Sequence, residues 1–220
     1  AKWMGHSAAV EWLATDTLKV LADDSLVQKP HLLPQARDIA FIQYTSGSTS
    51  EPKGVMITHH AILYHTHMIY HFLTDFQPEP GADRLVSWLP QYHDYGLICG
   101  YLLPIVMNVL CVNTSPLSFL HKPLLWADMI EKYKPTGIGG PNFSYRLLWR
   151  HLQQDGRVMD ASSVKVCSVG AEPISHDTLQ KIVEMGFQPS SLMPSYGAAE
   201  SVLLVNIYRG ILVKDGIVAC

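Results

Sequence analysis

A short stretch rich in hydroxyl groups and glycine is the clearest chemical signal in this sequence. It spans residues 44–54 and includes Thr45, Ser46, Gly47, Ser48, Thr49 and Lys53. The apolar run 39–44 before it predicts a short buried strand, and residues 62–72 after it predict a helix. In such a unit, backbone N–H groups left free by the turn converge on anionic oxygen atoms. Hydroxyl donors and a lysine cation add to them, so the stretch predicts a phosphate-binding loop.

Two other interpretations of this stretch are weaker. Clusters of Ser, Thr and Gly are commonly surface linkers. A linker, however, needs neither the Pro52-Lys53-Gly54 end nor apolar elements on both sides. The G-x-x-x-x-G-K-S/T loop of P-loop NTPases, counted from Gly47, would need glycine at Pro52 and a hydroxyl residue at Gly54. A Walker-type NTPase is therefore disfavoured.

Composition narrows the class of protein. The 220 residues are 48% hydrophobic, which predicts a substantial core in one large domain or most of one. The formal charge is −3 without a lysine/arginine cluster, so we expect no nucleic-acid partner. The four cysteines are far apart, which suggests neither a zinc site nor disulfides and favours a cytoplasmic location. Because the chain begins with Ala1 and stops inside an apolar run, it is interpreted as an internal fragment.

The apolar stretch 96–112 requires a check for a membrane span. A spanning helix needs about 20 apolar residues. Pro104 and Asn108 interrupt this stretch, so we expect a buried helix followed by a strand and no membrane span.

Apolar runs alternate with amphipathic segments along the rest of the chain. The predicted strands are 85–88, 109–112, 137–139 and 164–169. The predicted helices run from Pro123 to about Tyr133, from an Asn142 cap through His151, and from a Ser175 cap through Met185, with Gly186 as the stop. This alternation predicts an α/β fold with parallel βα units.

Polar loops follow the predicted strands. They lie at 44–54, 89–96, 139–142, 170–173 and 195–200. In open parallel sheets, ligands bind at the carboxyl ends of strands. We therefore expect all five loops to lie on one rim and to form one site.

This set of loops resembles the adenylate-forming superfamily of acyl-CoA synthetases, adenylation domains and luciferases, whose signature loop has the form T-S-G-S-T-G-x-P-K-G. Residues 43–54 follow that form closely. Within the superfamily, WLPQYHDYGLI at 88–98, GPNFSY at 140–145 and GAEPI at 170–174 resemble the fatty acyl-AMP ligases. The similarity runs from about residue 39 to 205. It implies the AMP-binding large domain, an α/β fold of parallel-sheet βα layers, incomplete in this chain.

The resemblance also implies an activity. Such enzymes join a carboxylate to the α-phosphate of ATP, release pyrophosphate and leave a reactive acyl-adenylate, a step that needs donors and a divalent cation. The implied cofactors are ATP and Mg²⁺. The implied substrate is a fatty acid, and the implied acceptor is the thiol of an acyl carrier protein or of a polyketide or nonribosomal peptide synthase carrier domain.

Site roles follow from the same resemblance, position by position. Thr45, Ser46, Gly47, Ser48, Thr49 and Lys53 would hold the phosphates, Glu200 would ligate Mg²⁺, and His93 would border the acyl carboxylate and α-phosphate. Gly170, Ala171, Glu172 and Pro173 would line the adenine slot, with Tyr196 stacked on the base beside Gly197, and Asn142 and Phe143 would wall the acyl pocket. The expected catalytic residues are His93, Glu200 and Lys53.

Taken singly, several of these residues have plainer interpretations. Glu200 alone would be a solvated carboxylate, Tyr196 could be core, and a lone histidine such as His93 is more often structural. The apolar side chains Trp88, Leu97, Ile98 and Tyr145 suit a fatty chain or ordinary core packing equally well.

Two positions depart from the family pattern. Ser50 replaces the usual glycine, and serine adopts a positive φ less readily than glycine does. Ala199 replaces a threonine that many relatives carry before the glutamate, although alanine is common there in fatty acyl-AMP ligases. Separately, His60, His67 and His71 share a helix face and could bind a metal, but an ordinary amphipathic helix is the preferred interpretation.

The domain prediction is a partial lead-in at 1–38, an AMP-binding core at 39–205, and the start of a truncated segment at 206–220. The residues that would complete catalysis are expected beyond this chain, so the fragment alone is expected to be inactive. The alternatives are an acyl-CoA synthetase and a non-catalytic acyl- or nucleotide-binding module.

Overall fold

The computed structural model describes residues 33–45, 53–74, 81–208, 212–214 and 217–219. The backbone forms two compact units, Ala1–Pro34 and Gln35–Cys220, and of the first unit only residues 33–34 are described. The strands are β1 (Ile39–Thr45), β2 (Lys53–Thr58), β3 (Arg84–Ser87), β4 (Leu110–Asn113), β5 (Gly137–Pro141), β6 (Val166–Gly170), β7 (Leu192–Gly197), β8 (Leu204–Ile207), β9 (Leu212–Lys214) and β10 (Ile217–Ala219). The helices are α1 (His59–Leu73), α2 (Asp94–Leu97), α3 (Leu103–Met107), α4 (Pro116–His121), α5 (Leu124–Tyr133), α6 (Asn142–Asp155) and α7 (His176–Glu184).

A six-stranded sheet organises the second unit. Its strand order is β4-β3-β5-β6-β7-β8, with β3 to β7 parallel and β8 antiparallel to β7. The four predicted strands are β3 to β6, so the predicted α/β fold with parallel βα units is confirmed. The sequence reasoning missed β7, because Pro194, Ser195 and Gly197 suggest a loop. Buried Leu192 and Met193 and pairing with β6 and β8 make this segment a strand.

The predicted strand and helix around the phosphate loop are present as β1 and α1, but the sequence reasoning missed a second strand, β2, between them, which forms a hairpin with β1. The chain returns from the loop as β2, which pairs antiparallel with β1 and brings Thr45 opposite Lys53. Within β2, Val55 and Ile57 are more buried than the exposed Met56 between them, the period of a strand, and α1 follows directly. The prediction that residues 39–44 are buried was also wrong, since Ile39, Ile42 and Tyr44 are about half exposed or more. Within the described residues, β1 has only β2 as a strand neighbour.

Most predicted helix ends are where the capping residues placed them. Thr58 caps α1 by accepting the Ala61 N–H, which starts the helix three residues before the predicted 62. Ser175 caps α7 as predicted, and Gly186, at φ 99°, follows its end. The cap of α6 is Pro141, not the predicted Asn142, whose side chain is used elsewhere in the site.

The apolar stretch 96–112 is a helical segment followed by a strand, as predicted. It combines α2, a π-helical turn at Ile98–Leu102 and α3 before β4 begins. Asn108, in the left-handed conformation, ends α3. No helix in the described ranges is long and apolar enough to cross a membrane.

Candidate active site

Four of the five predicted loops lie on one rim of the six-stranded sheet. The carboxyl ends of parallel β3, β5, β6 and β7 lead respectively to His93, to Asn142, to Ala171 and to the turn that holds Glu200. Strand order reverses at β3, because β4 pairs on one side of it and β5 on the other. Such a switch point opens a crevice at the carboxyl ends, and His93 follows β3 there.

A cavity of about 450 Å³ lies against this sheet. At the rim, its lining includes the polar residues His93, Asp94, Ser168 and Ser195, together with Ala171 and Gly197. Its apolar lining comes from α1, β3, α3 and the segment before β8, and includes Ile69, Leu85, Leu103 and Leu203. Asp83, Thr136 and Lys165, at the amino ends of β3, β5 and β6, also line it. The cavity therefore joins polar rim groups to apolar side chains, which suits an amphipathic ligand.

Tyr95 lines the cavity together with the middle of the sheet. Its buried hydroxyl donates to Ser168 Oγ at 2.8 Å, and Ser168 Oγ lies 3.2 Å from Ser195 Oγ. Burial is the main cause that raises the pKa of Tyr95 well above its ordinary value. A Cβ at Gly139 would lie 2.3 Å from the Tyr95 hydroxyl oxygen, so this close approach requires glycine. Sequence reasoning missed Ser168 and Ser195, although strand alternation places Ser168 opposite buried Cys167 and Val169.

His93 and Asp94 form a hydrogen-bonded pair at the rim. His93 Nδ1 lies 2.7 Å from Asp94 Oδ1, and the hydrogen bond with Asp94 is the main cause that raises the pKa of His93, while burial opposes it. The Tyr95 N–H lies 2.6 Å from Asp94 Oδ1 but 3.3 Å from His93 Nδ1. We therefore assign the N–H to the carboxylate and the ring proton to Nδ1. That tautomer leaves Nε2 available to a ligand.

The hairpin approaches the same residues. A second cavity, of about 240 Å³, is lined by Gln43, Tyr44, Thr45, His93, Asp94 and Ala199. The end of β1, the His93 pair and the Glu200 turn thus border one space. Lys53 is exposed and lines neither cavity. Ser46, Gly47, Ser48 and Thr49, with Ser50, lie outside the described residues.

The loop after β6 is bonded to the start of α6. Glu172 Oε1 accepts the Phe143 N–H at 2.6 Å, and Asn142 Oδ1 accepts the Ser175 N–H at 3.1 Å. Ala171 has φ 66°, a left-handed conformation that is uncommon without glycine. Gly170 is buried, and Pro173 is exposed. The carboxylate of Glu172 therefore satisfies a helix N-terminus, a role the sequence did not suggest.

Asn142 and Phe143 do not line the apolar cavity. Phe143 packs edge-on against Trp88, with ring centroids 6.0 Å apart. Trp88, Ile98 and Tyr145 are buried core, so ordinary packing accounts for these three aromatic and aliphatic side chains.

The Glu200 turn projects its polar side chains outward. Tyr196 is 65% exposed, and Glu200 is exposed in a short 3-10 turn, Ala199–Ser201. A Cβ at Gly197 would lie 2.4 Å from the Leu203 carbonyl oxygen, so any larger residue at this position would clash with the backbone of the turn. An exposed ring can stack on a base, and a carboxylate is a hard ligand for Mg²⁺.

The described residues hold no group of three or more His, Cys, Asp and Glu side chains placed to bind a metal. His67 and His71 stack with ring centroids 6.0 Å apart, and His60 lies beside Tyr64. A single Glu200 carboxylate still fits Mg²⁺, because this ion is usually held by one or two carboxylates together with substrate phosphates and water.

Several known proteins are similar to this chain. The family model described as AMP-binding enzyme matches residues 3–216. The medium-chain-fatty-acid acyl-carrier-protein ligase JamA of Moorena producens is 34% identical over 202 residues, covering 90% of this chain and 33% of the relative. The corresponding ligase TtuA of Teredinibacter turnerae is 38% identical over 185 residues, covering 80% of this chain and 28% of the relative.

A solved structure of a fatty-acid-activating ligase is also similar to this chain. The fatty acyl-adenylate ligase from L. pneumophila, crystallised with acyl adenylate and pyrophosphate, matches with a TM-score of 0.72 and 38% identity, over 80% of this chain and 31% of that chain. The chain spans about a third of the length of these relatives. Because the family model covers nearly all of its residues, this chain belongs to the AMP-binding enzyme family.

Proposed function

We propose that the complete protein converts a fatty acid and ATP to an acyl-adenylate with release of pyrophosphate, and then passes the acyl group to a carrier-protein thiol. One observation carries the proposal: His93, Ala171 and Gly197, from three loops of one rim, line a cavity whose interior is apolar. This cavity offers polar groups at the rim for a carboxylate and apolar side chains such as Ile69, Leu85 and Leu103 for its hydrocarbon chain.

The chain's own residues would divide the work between two cavities. The apolar cavity would take the acyl chain, where burial contributes about 0.8 kcal/mol for each CH₂ group removed from water. His93 lines both cavities, so its ring would stand between the acyl carboxylate and the phosphates. With the proton of Nδ1 held by Asp94, Nε2 would position the carboxylate oxygen, as a donor when His93 is protonated.

ATP and Mg²⁺ belong to the proposal as cofactors. Bound Mg²⁺ would offset the negative charge that develops on the phosphate oxygens. Glu200 would ligate it, while Thr45, residues 46–49 and Lys53 would hold the phosphates. Tyr196 and the loop 170–173 would bind the adenine, and the exposed ring of Tyr196 supports that role. Neither Asn142 nor Phe143 lines the apolar cavity. Their roles in an acyl pocket therefore stay a prediction without support from the cavity.

The acceptor and location are further parts of the proposal. The named activity of the Moorena and Teredinibacter relatives, ligation of a medium-chain fatty acid to acyl carrier protein, supports a carrier thiol. A carrier protein or a synthase carrier domain would present that thiol. A cytoplasmic location stays a prediction, and the free thiols of Cys99, Cys111 and Cys167 are compatible with it.

The test is hydroxylamine trapping of acyl-adenylate by the complete protein, with ATP, Mg²⁺ and fatty acids of short, medium and long chain. We expect hydroxamate from at least one chain length, and acyl transfer to a carrier protein but not to CoA. Transfer to CoA would make the protein an acyl-CoA synthetase. Nucleotide binding without adenylate from any chain length would make it a non-catalytic module.

Variants test the proposed site in the same assay. Lys53→Ala should weaken ATP use, and Glu200→Gln should impair the Mg²⁺-dependent step. Asp155→Asn, an exposed carboxylate at the end of α6, is the matched control and should leave both unchanged. Full activity in both site variants would refute their roles.

A further inference from the structure

A buried histidine outside the two cavities bonds to the segment that follows Glu200. His65 lies on α1 and is 7% exposed. Its Nε2 accepts the Leu204 backbone N–H at 2.8 Å, across 139 positions of sequence. Burial lowers the pKa of His65, and a neutral ring keeps this nitrogen an acceptor. Since β8 is an edge strand, no further strand in the described part of the sheet offers this N–H a partner.

The segment between Glu200 and Leu204 is strained. Val202 has φ 69° and ψ −54°, and the Leu203 N–H bonds to the Ser201 carbonyl at 2.8 Å. These are the features of a classic γ-turn, which is rare and strained, and a β-branched residue makes it more so. Backbone strain of this kind costs about 1–3 kcal/mol and persists only where surrounding contacts hold it.

Two bonds hold the ends of this strained turn. On one side, the Ala198 N–H bonds to the Leu203 carbonyl at 2.7 Å, which closes the turn around Glu200. On the other side, His65 holds the N–H of Leu204, the next residue. Losing the second bond removes a restraint on Leu204, which keeps its pairing with Gly197 in the sheet. The strained turn then opens more often.

We infer that His65 is a positioning residue for Glu200. By accepting the Leu204 N–H, it holds the strained turn in the form that presents the carboxylate. Because α1 begins directly after β2, the same bond joins the phosphate hairpin to the turn proposed to bind Mg²⁺. The mechanical part of this inference stands on geometry alone, and its effect on Mg²⁺ rests on the proposed function.

The first experiment measures amide hydrogen exchange at residues 198–204 in the complete protein without substrates. His65→Leu removes the acceptor, while the side-chain oxygen of His65→Gln can replace Nε2. We expect exchange of the Leu204 amide to rise about tenfold in His65→Leu, the equivalent of one lost hydrogen bond, and to stay near wild type in His65→Gln. His67→Leu, an exposed neighbour on the same helix, is the matched control and should change nothing.

The second experiment measures the Mg²⁺ concentration that gives half-maximal adenylate formation. It should rise several-fold in His65→Leu and return toward wild type in His65→Gln. Wild-type exchange in folded His65→Leu would overturn the inference, as would Gln behaving like Leu. If His65→Leu does not fold, His65→Asn, whose shorter amide cannot reach Nε2's position, takes its place against Gln. If the wild-type protein forms no adenylate, the proposed function is wrong. The exchange measurement would still decide whether His65 holds the turn.

Discussion

The two faces of strands β5 and β6 are packed in opposite ways. On one face, Gly139 and Ser168 contact Tyr95, and all three residues line the cavity of about 450 Å³. On the other, a Cβ at Gly140 would lie 2.6 Å from Ser144 Oγ and 3.4 Å from the Trp126 ring. There Trp126 packs at 5.6 Å from Phe119 and 5.1 Å from Tyr145.

The difference shows how one sheet serves two purposes. The packed face holds large buried aromatic side chains and fixes the strands. It also buries the indole N–H groups of Trp88 and Trp126, which have no hydrogen-bond partner among the described residues. The open face leaves room against the same fixed strands. The strands that line the cavity are held in place by the closely packed face behind them. Because close-packed interiors have low compressibility, these strands do not move in to fill the cavity.

The largest expected effect comes from the same substitution made on each face. Leu148 is fully buried on α6, and Leu103 is buried but lines the cavity. Leu→Ala in a packed core costs about 2–5 kcal/mol and depends on the void that is left. We expect Leu148→Ala near the upper end and Leu103→Ala near the lower end, because Leu103 already borders open space. Thermal unfolding of the complete protein measures this, and equal losses would contradict the comparison.

Adjacent glycines on opposite faces give the next test. Gly140→Ala overpacks the aromatic side, which costs about 1–3 kcal/mol, and should leave fatty-acid preference unchanged. Gly139→Ala places its methyl carbon 2.3 Å from the Tyr95 hydroxyl oxygen, so the ring must shift toward the cavity. We expect KM to rise for long fatty acids more than for short ones in Gly139→Ala only. The same chain-length profile in both variants would show that the faces are not independent.

The sequence predicted the parallel strands better than the elements around them. Runs such as 164–169 are apolar enough to read as buried strands, and the family resemblance is confirmed by the match over residues 3–216. β7 was missed because Pro194 and Ser195 are residue types that favour a loop. The hairpin was missed because the loop was taken to end at residue 54 and residues 55–58 were assigned to no element.

The candidate site was predictable only in part. Loop positions followed from strand order, so His93, Ala171 and Gly197 could be expected together, and they line one cavity. The cavity itself depends on which glycines of β5 face Tyr95, and the contact of His65 with Leu204 joins residues 139 positions apart. No local pattern carries such information. The individual roles of the site residues stay predictions, and residues 46–49 lie outside the described part of the chain.

The polar end of the open face supplies a pH prediction. Since Asp94 raises the pKa of His93 above its ordinary 6.5, the pair stabilises the folded protein below that pH, and the contribution is lost as pH rises through the folded value. Asp94→Asn should return the pKa of His93 toward 6.5.

NMR titration of the His93 ring measures this shift, with His93→Gln to assign the signal. Asp83→Asn is the control, because Asp83 also lines the cavity but bonds to Tyr70 and Thr136. The pKa of His93 should stay raised in that variant. An unchanged value in Asp94→Asn would show that Asp94 does not hold the ring proton.

The smallest expected effect concerns the backbone where β6 meets the cavity. Gly170 packs so closely on β7 that a Cβ would lie 2.6 Å from Ser195 Oγ, and the chain then turns through Ala171 at φ 66°. The left-handed conformation costs a residue with a Cβ about 1–2 kcal/mol, while glycine loses about 0.5–1 kcal/mol more backbone entropy on folding. Ala171→Gly should therefore raise stability by no more than about 1 kcal/mol, measured by urea unfolding. Ala82→Gly, at an exposed position without positive φ, should lower it. If Ala171→Gly also lowers stability, the Ala171 methyl group makes contacts at the cavity rim that outweigh the strain.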